Sequence, residues 1–277
     1  MNEKTDEMKL LVKENLELFI PSLFKLLNGQ NISWKGINKK FVEKHFERKE
    51  KYDKNDKYLL VPVNFYDVVT GVMNENPGFT RLLGYFEYVF DELNRNLDGK
   101  EKLLVSKTLR NLLNDFTSDY IHYIGELSVL NVLTRSKLLT LDKMEFTLDN
   151  GKNMDFRLFC GETNQYLLVE IMNLHIDKEN SKEVDVFEKF LQSKILNKIE
   201  DKTNGSSIND FTLIPVLWGG HHDLHKIYDF YKKGFKNKND KVFEPFSYLS
   251  WYDTEGTLYK FQNISKIFDP VGGIIVK

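Results

Sequence analysis

A chain of 277 residues, 41% hydrophobic and 29% charged, can fill one large folded domain or two small ones and is too apolar for a disordered class. Its formal net charge of −2 argues against indiscriminate nucleic-acid binding and leaves only a local basic groove for such a partner. A single cysteine excludes an intramolecular disulfide, no apolar run is long enough for a bilayer, and the charged start MNEKTDEMK lacks the apolar core of a signal peptide, so the expectation is a cytoplasmic protein with no membrane partner.

The first element reads as a helix. Met8, Val12, Leu16, Phe19, Leu23 and Leu27 form one stripe at helical spacing between Thr5 and Asn28, and Pro21 is expected to kink or split it. The charged stretch from Lys39 to Lys57 reads as a solvated helix face and loop. LLVPV near Leu60 suits a short strand or a docking segment. Leu82, Phe86, Val89, Leu93 and Leu97 mark another amphipathic helix, ended by Asp98-Gly99. A long helical pattern then runs from about Lys100 to Leu133, with a break near Thr117-Ser118.

After that the period changes from helix to strand. MEFTL and NMDFRLFC alternate, with the tight-turn signal Asp149-Asn150-Gly151 between them. GETN is a turn, and YLLVEIMNLHI, Tyr166 to Ile176, is a buried strand. Val184 to Lys202 reads as a helix with Val184, Phe187, Leu191, Ile195 and Ile199 inward. FTLIPVLW is another apolar strand, closed by Gly219-Gly220, and Asp223 is placed to cap the helix that follows. The tail from Phe243 has strand-like pieces. From Lys100 to Trp218 the order is helix, three strands, helix, strand.

One acid, Glu170, stands in the apolar run of the buried strand, where a lone carboxylate is costly unless something pairs with it or binds it. If Cys160 and Gln165 flank the GETN turn as a hairpin pair, Asp155 falls directly opposite Glu170 on one face. Like charges so placed repel, and a hard divalent cation or a buried basic side chain is needed to settle them. Alternation also puts Met172 on the Glu170 face and Asn173 on the other. His221 and His225 share a helical spacing that zinc uses, without a third ligand at a persuasive distance in sequence. Cys160 reads as a small buried apolar residue, and His122 with Glu126 as a surface pair. No phosphate-binding glycine loop, G-x-S-x-G elbow or dinucleotide fingerprint occurs.

Three segments, the glutamate of YIGELSVLNVL, the aspartate of NMDFRLF and the glutamate of LLVEIMNL, resemble the core of the PD-(D/E)XK, or restriction-endonuclease-like, nucleases. The resemblance covers roughly Lys100 to Trp218. It implies an α/β (α+β) fold: a helical N-terminal region over 1–98, then a restriction-endonuclease-like core with a C-terminal extension over 99–277. It further implies Asp155 and Glu170 as ligands of Mg²⁺ or Mn²⁺, the Ile171 carbonyl as a further ligand, and Glu126 as an added carboxylate. Met154 stands where the family has proline and Met172 where it has lysine. Some divergent members supply the cation from the next helix, which here offers Lys194 and Lys198 in FLQSKILNKIEDK. The implied activity is metal-dependent endonucleolytic hydrolysis of DNA in restriction or defence, with a homodimer as a further expectation. Two alternatives stay open: a nuclease fold that binds nucleic acid or a protein partner without cutting, and a helical interaction module whose acids pair with Arg157 and a lysine.

Overall fold

Pro21 cannot donate a backbone hydrogen bond, and the first helical stripe breaks beside it. A helix over 12–19 (α1) ends at Ile20, and Pro21–Leu27 (α2) restarts the pattern with Leu23, Leu26 and Leu27 buried. The computed structural model describes residues 12–27, 29–53, 64–73, 75, 77–207, 210–236, 246–250 and 258–263, and for 45–53, 77–78, 81, 221, 246–250 and 258–263 the backbone alone. LLVPV, Met8, the Lys57 end of the charged stretch, the His221 side chain and the last residues of the tail lie outside what is described.

The chain divides into two compact units, Met1–Ile124 and Gly125–Lys277. The first unit is helical. Trp34–Asp53 (α3), Phe65–Met73 (α4), Pro77–Asn96 (α5) and Gly99–Asn114 (α6) follow α2. Asp98 does more than end α5. Its carboxylate accepts from the amides of Lys100 (2.7 Å) and Glu101 (2.9 Å), while Glu101 accepts from the Asp98 amide, a reciprocal capping box that starts α6. The expected break comes after Asn114, and Tyr120–Thr134 (α7) resumes the helix.

In the second unit Leu139–Thr147 (β1), Asn153–Cys160 (β2) and Gln165–Ile176 (β3) form an antiparallel meander. Val184–Thr203 (α8) then crosses to Thr212–Gly219 (β4), which runs parallel to β3. His221–Lys232 (α9), Phe246–Ser250 (β5) and Leu258–Asn263 (β6) follow, and among the described residues the six strands lie in chain order in one sheet. Where β3 pairs in parallel with β4 the sheet is largely buried; β4 is apolar along nearly its whole length, while β3 carries Glu170 and Asn173 within its apolar run.

The sheet carries a helix on each face. Met172, Leu174 and Ile176 pack with Phe187, Leu191 and Ile195 of α8 in one core. On the other face Gly125 of α7 lies so close that a Cβ there would stand 2.7 Å from Asn173 Oδ1 and 3.2 Å from the Trp218 ring. Val184 proves exposed and Ile199 only half-buried: the buried stripe of α8 begins at Phe187 and, after Ile195, passes to Lys202 rather than to Ile199. Asp223 is not a cap. Gly220 occupies the cap position without a side-chain bond, and Asp223 accepts from Ser181 Oγ at 3.0 Å and pairs with Lys226 at 3.2 Å.

Candidate active site

The β2–β3 ladder has the register expected from the loop flanks, from Cys160↔Gln165 to Phe156↔Val169. There it stops. One step further Asp155 would face Glu170, and after that Met154 would face Ile171. In a continued ladder the Ile171 amide would bond to the Met154 carbonyl. It donates instead to Asp155 Oδ2 at 2.6 Å. A carboxylate has taken the place of a backbone acceptor, and the two strands fork at this point.

Glu170 lies on β3 in the fork, 1% exposed. Its Oε1 meets two ammonium groups from α8, Lys198 Nζ at 2.6 Å and Lys202 Nζ at 3.0 Å. Its Oε2 is buried with no hydrogen-bond partner. Lys202 also donates to the Asn153 carbonyl at the start of β2, so one side chain ties together the two strands that the ladder no longer joins. The β1–β2 turn fixes the end of α8 that carries these lysines: Asn150 Nδ2 donates to the carbonyls of Lys202 (3.0 Å) and Asn204 (2.9 Å). Gly151, at φ +80, closes that turn in the left-handed region that favours glycine.

Carboxylates crowd the fork. Burial, and after it the charge of Glu170, pushes the Asp155 carboxyl up to about 7, against the pull of the Ile171 amide and both lysines. Burial also holds Glu126 well above the usual carboxylate range, with the charges of Asp155, Glu145 and Glu170 adding to it. Lys198 loses from burial, yet the Glu170 carboxylate beside it holds it above the ordinary lysine range. Glu126 comes from α7 and Lys198 from α8, and each feels the charges of Asp155 and Glu170.

Of the residues expected from sequence, Asp155, Glu170 and Lys198 therefore gather here, with the Ile171 backbone between them, and Glu126 is near enough to feel their charges. Lys194 does not join them: it is exposed, with its ammonium 5.8 Å from the centre of the Phe190 ring. Met172 fills the core. Arg157 pairs with Asp142 rather than with Asp155, and its guanidinium lies over the rings of Phe146 and Tyr166. Asn173 accepts from Trp218 Nε1 at 2.7 Å on the face opposite Met172. His225 pairs with Asp229 at 3.4 Å, and Cys160 is half-exposed at the hairpin end, not buried.

No family model, curated protein or solved structure matches this chain.

Two residues were missed. Lys202 continues the buried stripe of α8, seven residues beyond Ile195, and a lysine at that spacing was the available signal. Glu145 has φ 49 just after a bulge in β1, an irregularity that strand alternation does not announce. Among the described residues no three His, Cys, Asp or Glu side chains make a ready-made metal cage. A magnesium ion does not need one, since it takes one or two carboxylates and keeps several waters. The orphaned Glu170 Oε2 is a buried acceptor that a cation would satisfy, and the Asp155 and Glu170 oxygens with the Ile171 carbonyl are the hard donors such an ion takes.

Proposed function

We propose that this chain is a divalent-metal-dependent endonuclease, built on a restriction-endonuclease-like core, that hydrolyses DNA phosphodiester bonds in a restriction or defence setting. The observation that carries the reading is the unpartnered, buried Glu170 Oε2 beside Asp155 at the β2–β3 fork. The element order from α7 to β4 supports it as well.

Asp155, Glu170 and the Ile171 carbonyl would hold Mg²⁺ or Mn²⁺, with Glu126 completing the acidic wall. When bound, such an ion supplies Lewis acidity towards a phosphoryl oxygen and makes water a usable nucleophile at neutral pH. Lys198 takes the role of the lysine that Met172 replaces: its ammonium donates to a non-bridging phosphate oxygen and offsets the charge that builds there. Lys202 keeps Glu170 and the start of β2 in register. Burial of Glu170 keeps bulk water from screening its charge.

The direct test incubates supercoiled plasmid and single-stranded DNA with the protein and Mn²⁺ or Mg²⁺, with a chelator control. Cleavage should require the metal and fall at least about a hundredfold in Glu170→Ala and in Asp155→Asn. Full activity in the Glu170 variant would assign the cleavage to another site or a contaminant.

A second reading has one observation in its favour. Lys198 and Lys202 already neutralise Glu170, as they would in a nuclease fold that binds without cutting. DNA bound but left intact by folded protein, with no metal taken up, would select it.

A further inference from the structure

The two lysines share Glu170 Oε1 unequally. Lys202 has a side chain 10% exposed and a second acceptor, the Asn153 carbonyl. Lys198 has a side chain 33% exposed, and Glu170 is its one ion-pair partner among the described residues. Lys198 also lines a cleft of about 400 Å³ beside β3, together with Met172, Asn173, Phe190, Lys194 and Asp201. Asp201 is engaged there by Lys152 at 2.5 Å, so the ammonium groups on that wall that could meet an anion are Lys194 and, once it leaves Glu170, Lys198. The two lie one turn apart on α8.

We propose that Lys198 is an exchangeable counter-ion. It neutralises Glu170 until a divalent cation takes its place, then turns its ammonium into the cleft, where it and Lys194 receive a phosphate of the substrate strand. Lys202 stays on Glu170 and Asn153 throughout. The inference rests on the metal site proposed above.

The physical argument is one of unequal cost. A divalent ion and an ammonium group crowded on one carboxylate repel each other, so a lysine must leave. Lys202 leaves only by stranding a buried ammonium and the Asn153 carbonyl, both expensive. Lys198 leaves by rotating a flexible stem towards solvent that it already touches. The orphaned Oε2 gives the incoming ion a first contact before any lysine moves.

This predicts something a simple supporting role does not. In calorimetric titration of Mn²⁺ into the full chain without DNA, Lys198→Gln should bind about tenfold more tightly than wild type, a change of about 1.4 kcal/mol. In the wild-type protein, amine acetylation read by mass spectrometry should speed up severalfold at Lys198 when Mn²⁺ is added and stay slow at Lys202. Wild-type protein that binds Mn²⁺ while Lys198→Gln binds no more tightly overturns the exchange and leaves the metal site standing. Failure of both proteins to bind millimolar Mn²⁺ overturns the metal site and the exchange together. Should Lys198→Gln not fold, the labelling decides: unchanged Lys198 reactivity with metal bound overturns the exchange.

Discussion

At the scale of single residues, the fork is a place where charge is held under tension. Asp155 titrates near neutrality when folded and near the ordinary carboxylate value, about 3.9, when unfolded. Between those values the folded state holds a proton that the unfolded state has released, so its contribution is full below about pH 4 and is lost as pH rises through about 7. Glu126 acts in the same direction. The melting temperature of metal-free protein should therefore fall between pH 5 and pH 8, and the slope should flatten in Asp155→Asn. Saturating Mg²⁺ should stabilise most at the alkaline end, because a metal requires the deprotonated carboxylates. A flat metal-free profile would count against the buried acids as described. Residues of this kind were legible wherever chemistry and pattern conflicted. Glu170 in an apolar run is one case, and Lys198 beside a buried stripe is another. Lys202 escaped because a lysine in the last turn of a helix is ordinary, and only its position on the inward stripe distinguishes it.

At the scale of elements, the site depends on helices being held at set distances from one sheet. Gly125 lets α7 lie against Asn173 and Trp218. In Gly125→Ala the new methyl would stand 2.7 Å from Asn173 Oδ1, so either that side chain gives up its bond to Trp218 or α7 retreats, carrying Glu126 with it. The expected cost is about 1–3 kcal/mol, read from the urea midpoint, with weaker Mn²⁺ binding in the same variant. A variant of wild-type stability and affinity would show that the helix is free to shift. The strands and their register could be read in advance because alternation and a four-residue turn constrain them tightly. The end of the ladder could not. Whether a strand pair continues or forks depends on which acceptor an amide finds, and Asp155 competes with the Met154 carbonyl only once the chain is folded. Asp223 illustrates the reverse error: an acid early in a helix looked like a cap, but the Ser181 hydroxyl claimed it.

At the scale of the molecule, the two units differ in kind, one helical and one built on a mixed sheet. The residues proposed to bind metal and substrate lie in Gly125–Lys277. Metal at a hundred times its dissociation constant stabilises by about 2.7 kcal/mol. Hydrogen exchange should register that gain chiefly in β2, β3 and the last turns of α8, and uniform protection along the chain would argue against a site at the fork. The net charge of −2 leaves little general attraction for a polyanion, so binding should depend on few contacts.

The fork has a consequence for how this protein could be silenced. Its candidate site consists of hydrogen bonds that the sheet declined to make. A variant able to zip β2 onto β3 past Phe156 and Val169 would gain backbone pairing and lose the gap in which an ion could sit. Loss of the proposed activity by that route would come with a more ordered and more stable fold, every acidic residue still present, and no defect that a search for missing side chains would notice.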